Sequence, residues 1–143
     1  MATKPSIGFI GLGLMGQAFT KRLVASGYTV TGFDIAAEKV EQATKHGVVA
    51  ATSSADVTSK SDVVLLCVVS TDAVHEAVFG SGGVVESARA GKVLVDHSTT
   101  IMENTKAMAD TLREGSGMGW VDAPVSGGPP AAEAGTLAIM AGG

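Results

Sequence analysis

A chain with one cysteine cannot close an internal disulfide, and Cys67 is the only cysteine among these 143 residues. It sits in the apolar run Val63 to Val69, where a small buried core residue is the expectation and a reactive thiol is not. Basic runs are absent too. The formal charge of −4 and the pI near 5.2 give no field for a polyanion, which sets nucleic-acid partners aside. No apolar stretch approaches the roughly 20 residues that span a bilayer, and residues 1 to 6 lack the charged-then-apolar order of a secretory signal. The expectation is a cytoplasmic protein with no membrane partner. Aromatics are scarce, at four Phe, one Trp and one Tyr, and there is neither an internal repeat nor a Gly-X-Y period.

What is abundant is glycine, 19 residues, within a sequence that is 45% hydrophobic. That combination suits one packed domain with tight turns between alternating strands and helices. Strands are expected at Ser6 to Ile10, Tyr28 to Phe33, Val48 to Ala50, Val63 to Val69, Lys92 to Asp96, Met118 to Val125 and Thr136 to Met140. Helices are expected at Met15 to Ser26, Ala36 to Lys45, Asp72 to Val78 and Ile101 to Arg113, with a short one capped by Ser53 or Ser54. Val63 to Val69 is apolar without alternation, as in a central strand covered on both faces. Ser98, Thr99 and Thr100 are candidate caps for the helix that follows them. Gly127 to Pro130 reads as a turn. The order of elements predicts an α/β, doubly wound Rossmann fold: a mostly parallel sheet with helices on both faces. Because the sequence stops at Gly142 and Gly143 just after a strand, residues 1 to 143 read as a domain cut short at its C-terminal end.

One motif carries chemistry. Gly11, Gly13 and Gly16 form G-x-G-x-x-G between the first expected strand and the first expected helix, the context a dinucleotide fingerprint needs. The first glycine permits the tight turn, the second lets a pyrophosphate approach the backbone, and the third lets helix and strand pack closely. Unpaired amide donors and the positive end of the helix dipole then face the anion. Asp34 ends the second strand at about the 20-residue offset where a carboxylate accepts ribose hydroxyls. It also suits an N-cap of the next helix, and the two roles are compatible. Its charge repels a 2′-phosphate, and no Arg stands at 35 to 37, so NAD is favoured over NADP, with Lys39 the one nearby cation. Ser126, Gly127 and Gly128 combine a hydroxyl with two glycine amides, which suits either a surface turn or an anion nest.

The segment Gly8-Phe9-Ile10-Gly11-Leu12-Gly13-Leu14-Met15-Gly16 resembles the N-terminal signature of the β-hydroxyacid dehydrogenases, the group that includes 3-hydroxyisobutyrate dehydrogenase. Asp96-His97-Ser98-Thr99 is similar to that family's Asp-x-Ser-Thr segment. Asp122-Ala123-Pro124-Val125-Ser126-Gly127-Gly128 is similar to its substrate-binding segment. The resemblance implies an N-terminal NAD-binding domain in which Gly11, Leu12, Gly13, Leu14, Met15, Gly16 and Asp34 hold the adenine half of the cofactor. It places Val68, Val69 and Thr99 along the nicotinamide and Ser126, Gly127 and Gly128 on the substrate. Many members carry Leu-Pro where this chain has Val68-Val69.

The implied reaction is hydride transfer between the nicotinamide and a small β-hydroxyacid or its semialdehyde. No catalytic residue is assigned within the chain, because the family's lysine lies beyond residue 143 in a helical domain that also joins subunits into homo-oligomers. Lys92 and Lys106 are expected to be ordinary solvated lysines. His46, His75 and His97 have no acidic partner at a useful spacing, and no metal site is expected. Two alternatives stand beside this reading: an imine reductase of related fold, and a noncatalytic dinucleotide sensor.

Overall fold

The computed structural model describes residues 3 to 142. The chain alternates strand and helix: β1 (Ile7–Ile10), α1 (Leu14–Ala25), β2 (Val30–Phe33), α2 (Ala37–Thr44), β3 (Val49–Ala50), α3 (Ser54–Ser59) and β4 (Val63–Leu66) come first. Then follow α4 (Thr71–Phe79), a single 3-10 turn (Val84–Glu86), β5 (Val93–Asp96), α5 (Met102–Ser116), β6 (Gly119–Asp122), β7 (Val125–Ser126), α6 (Gly128–Ala134) and β8 (Ala138–Ile139). Six strands form a parallel sheet in the order β3-β2-β1-β4-β5-β6. The chain builds outward from β1 in one direction, then returns to β1's other side with β4, the doubly wound arrangement expected from the alternation.

Helices cover both faces. On one, Val74 and Val78 of α4 and Met108 and Leu112 of α5 pack on Val64, Leu66, Leu94 and Trp120 of the sheet. On the other, Ala18 and Phe19 of α1, Ala43 of α2 and Ala132 of α6 pack on Ile7, Phe9 and Val30. Each strand is short, so a few fully buried side chains per strand carry the core. Burying one such side chain contributes about 1.5–3 kcal/mol, and together they offset the backbone entropy lost on folding. No helix among the described residues is long and apolar enough to cross a membrane.

Several expectations need correction. The central strand stops at Leu66 rather than Val69: the Cys67 amide still bonds to Ile10, but the Val68 amide turns to the Ser98 hydroxyl, and Val69 is 97% exposed. Both faces of β4 are nonetheless covered, by separate cores. Ser98, Thr99 and Thr100 do not cap α5; its N-cap is Ile101, without a side-chain bond, because Ser98 and Thr100 spend their hydroxyls on Val68 and Thr105. The cap of α3 is Ser53, which accepts the Asp56 amide.

The expected strand Met118 to Val125 divides into β6 and β7 around Ala123 and Pro124. The segment from Gly128, expected as a turn into a strand, first forms α6: its prolines fall in the first turn, where a missing N–H costs nothing, and Ala131 to Ala134 favour helix. Only Ala138–Ile139 of Thr136 to Met140 is strand, paired antiparallel to β7 outside the main sheet.

Candidate functional site

In a parallel sheet every strand delivers its following loop to the same edge, so the loops after β1, β2, β4, β5 and β6 converge. Those loops hold Gly11 to Gly16, Asp34, Val68 to Val69, Ser98 to Thr99 and Ser126 to Gly128. The sheet reverses direction between β1 and β4, which makes the crevice there the expected ligand position.

The three fingerprint glycines occupy different surroundings. Gly11 has φ +94°, and a methyl there would overlap the Cys67 carbonyl oxygen. A methyl on Gly16 would overlap the Gly11 carbonyl oxygen, so α1 rests directly on the backbone of the turn. At Gly13 a methyl would meet nothing. Gly13 is also the N-cap of α1, with no side-chain cap and no acidic residue in the first turn. The helix therefore presents its unpaired amides and dipole to open space, a fit for a pyrophosphate.

The other residues implied for the adenine half divide by atom. Leu12 is fully buried in the core, and only its backbone faces the site: its amide donates to Asp34 Oδ2 at 2.7 Å and its carbonyl accepts from Gln17 Nε2. Leu14 is 82% exposed, and Met15 is half-buried. Asp34 does not occupy the N-cap of α2, which is Ala36; its Oδ1 instead accepts the Ala36 amide at 2.8 Å. A carboxylate has about four acceptor positions, so two remain for hydroxyl groups.

At the β4 and β5 loops, Val68 is half-buried and Val69 and Thr99 are exposed. Beneath them lies Asp96, wholly buried. Its Oδ1 accepts the Ser98 amide at 2.9 Å, while Oδ2 has no partner among the described residues. Burial pushes its carboxyl up to about 6. The Cys67 thiol is pushed to about 11, first by burial and then by the Asp96 charge, which matches the expectation of an unreactive, largely buried cysteine.

Ser126 is exposed at the end of β7. Gly127 follows with φ +129°, a backbone that side chains avoid, and Gly128 opens α6. The two prolines after it have no N–H, so the donors at this helix start are concentrated on the glycines. α6 packs on α1, with Lys21 and Glu133 paired at 3.1 Å and Leu14 and Pro129 lining one shallow groove of about 260 Å³. The Ser126 segment is thus brought beside the helix that carries the glycine fingerprint.

Lys92 departs from expectation. It is buried, not solvated, and Nζ donates to the Thr58 and Ser61 carbonyls at 2.8 and 2.6 Å, closing the C-terminal end of α3. Only the Ser-rich end of α3 could have hinted at it. It precedes β5 and so lies at the sheet edge opposite the site, whereas Lys106 is exposed as expected. Spacing gives His97 no acidic partner, and the structure shows it buried, stacked on Phe19 and donating from Nδ1 to the Ala123 carbonyl at 2.8 Å. Burial lowers its pKa, which fits a neutral ring that ties β5 to β6. His46 bonds to Thr20 through Nε2. No group of three or more metal-ligating side chains occurs among the described residues.

Comparison with known proteins bears on the same surface. The family model described as the NAD binding domain of 6-phosphogluconate dehydrogenase matches residues 6–143. The chain is 40% identical over 136 residues to 2-(hydroxymethyl)glutarate dehydrogenase of Eubacterium barkeri, covering 95% of this chain and 45% of that protein. It is 36% identical over 143 residues to mitochondrial 3-hydroxyisobutyrate dehydrogenase of Rattus norvegicus, covering 100% and 42%. Among solved structures, 3-hydroxyisobutyrate dehydrogenase of Mycobacterium tuberculosis, with L-serine, superposes with a TM-score of 0.90 at 33% identity, over 99% of this chain and 47% of that one. The V8 variant of an imine reductase from Myxococcus stipitatus, in complex with NAD+, is more distant, at TM-score 0.82 and 26% identity over 90% and 43%. The chain spans about half the length of the relatives it matches.

Proposed function

Because this chain belongs to the family of the NAD binding domain of 6-phosphogluconate dehydrogenase, we propose that it holds NAD, in preference to NADP, across the β1–β4 crevice. The whole protein is then an oxidoreductase acting on a small β-hydroxyacid or the matching semialdehyde. The observation that carries the reading is the empty space at Gly13 in front of an uncapped helix, between two glycines that are tightly packed. An anion is what those unpaired amides suit.

Cofactor choice rests on Asp34. Its two free acceptor positions suit the two hydroxyls of an unmodified ribose, and its negative charge opposes a 2′-phosphate. Val68, Val69 and Thr99 line the nicotinamide side, and the bound nicotinamide supplies hydride transfer. The Ser126 hydroxyl and the Gly127 and Gly128 amides orient a substrate carboxylate. A carboxylate-bearing substrate favours the hydroxyacid reading over an imine. Two relatives that share this domain, 2-(hydroxymethyl)glutarate dehydrogenase and 3-hydroxyisobutyrate dehydrogenase, are dehydrogenases of hydroxyacids by name. The family resemblance assigns the residue that moves the substrate hydroxyl proton to the remainder of the whole protein, and Lys92 is no substitute, since it faces the wrong edge and is already bonded at the end of α3.

Isothermal titration of the chain tests this. The expected result is NAD binding tighter than NADP, with no turnover of hydroxyacids by these residues alone. Binding of neither coenzyme overturns the dinucleotide reading; turnover by the purified chain overturns the assignment of proton transfer to residues elsewhere.

A further inference from the structure

The buried Asp96 carboxylate is not used by the reading above, although it lies directly under the loops that reading assigns to the nicotinamide. Its Oδ1 accepts the Ser98 amide at 2.9 Å. The Ser98 hydroxyl oxygen in turn accepts the Val68 amide at 2.9 Å, across a sequence separation of 30 residues. The connection therefore runs from Val68 through Ser98 to Asp96, and it bridges the loop after β4 to the loop after β5. Nothing else fixes the Val68 amide: the parallel ladder between β4 and its neighbours ends with the Cys67 amide on Ile10 and the His97 amide on Leu66.

Burial makes this connection specific. Asp96 and Ser98 are 0% and 2% exposed, so water cannot replace either partner. Fold maintenance alone does not explain a buried carboxylate here, because the sheet already joins β4 to β5 through its backbone, and a buried charge costs stability.

We propose that Asp96 and Ser98 are positioning residues for the nicotinamide end of the cofactor: the Asp96 carboxylate fixes the Ser98 backbone through its amide, and the Ser98 hydroxyl holds the Val68 amide, which keeps Val68 and Val69 in register with Thr99. This rests on the placement of the nicotinamide against Val68, Val69 and Thr99. It requires that the adenine half of the site, on the far side of β1, be indifferent to the pair.

That indifference supplies the test, because ADP-ribose carries the adenine half of NAD without the nicotinamide. NAD and ADP-ribose are titrated calorimetrically into the wild-type chain, Ser98→Ala and Asp96→Asn. For Ser98→Ala the expected result is about tenfold weaker NAD binding, from the unpaired Val68 amide, with ADP-ribose unchanged. Asp96→Asn is expected to change NAD in the same direction and spare ADP-ribose. In amide NMR spectra of the wild type, Val68 and Val69 shift with NAD but not with ADP-ribose. Equal weakening of both ligands in both variants would show a general structural role and overturn the proposal, as would unchanged NAD binding. Wild-type chain that binds NAD no better than ADP-ribose overturns it too. If the wild type binds neither ligand, the dinucleotide reading itself fails.

Discussion

The Leu12 amide donates to the Asp34 carboxylate at 2.7 Å, so the residue that follows β2 also holds the turn that follows β1. Replacing it removes more than a sugar contact. Asp34→Ala leaves the Leu12 and Ala36 amides without their acceptor and is expected to weaken NAD binding by about tenfold or more. NADP is expected to lose less, because the repulsion of its phosphate goes with the carboxylate. Paired titrations give both numbers, and equal losses for the two coenzymes would contradict the electrostatic account of selectivity.

Gly13 and Gly16 are expected to separate binding from stability. Gly13→Ala places a methyl in open space, so urea unfolding should change by only about 1 kcal/mol while coenzyme binding is lost. Gly16→Ala drives a methyl into the Gly11 carbonyl oxygen and should cost about 3 kcal/mol or more. A stable Gly16→Ala variant would mean that α1 can lift from the turn.

Asp96 makes a pH prediction whose sign is fixed. Its carboxyl is raised to about 6 in the fold by burial, so the native state holds its proton more tightly than the unfolded chain does. The stability it contributes is present below about pH 4 and is lost as pH rises through 6. His46 and His97 act in the opposite direction, since burial lowers both and the unfolded chain takes up protons first on acidification. The Asp96→Asn variant isolates the carboxylate from them. Relative to wild type it should gain stability between pH 4 and pH 7, read as the difference in urea midpoint at each pH; a difference that stays flat would show that the native carboxyl ionises normally.

Cys67 is expected to resist thiol reagents in the native chain. With its pKa pushed to about 11, almost none of it is thiolate at pH 7, and most of its surface is covered. Labelling with a chromogenic disulfide reagent should be slow in buffer and immediate in denaturant. Rapid native labelling would show that the segment after β4 opens readily.

The sheet was legible because its strands are short apolar runs separated by helical periods and glycine stops, and the fingerprint was legible because its spacing and its strand–turn–helix context coincide. The family resemblance added what spacing cannot: nothing in the pattern around Val68 or Ser126 distinguishes a ligand loop from a surface turn. Ser98 looks like a cap by local chemistry, yet its hydroxyl accepts the Val68 amide from 30 positions away, while the Thr100 hydroxyl pairs with Thr105 in the first turns of α5. Lys92 looks solvated by type, yet α3 delivers two carbonyls to it from more than thirty positions away in sequence. The prolines at 129 and 130 suggest a break, but at the start of α6 they fit the helix. The Ser98 and Lys92 outcomes depend on which distant backbone arrives, and one-dimensional pattern carries no record of that.

α1 touches both proposed ligand stations: its first turn opens on the proposed diphosphate position, and its flank supports α6, which begins at the proposed carboxylate station. On that proposal, any coupling the shared strut carries is reciprocal. Whatever factor the coenzyme imposes on acid affinity, the acid must return to the coenzyme, so a displacement at Gly16 registers at Gly128 as an altered grip.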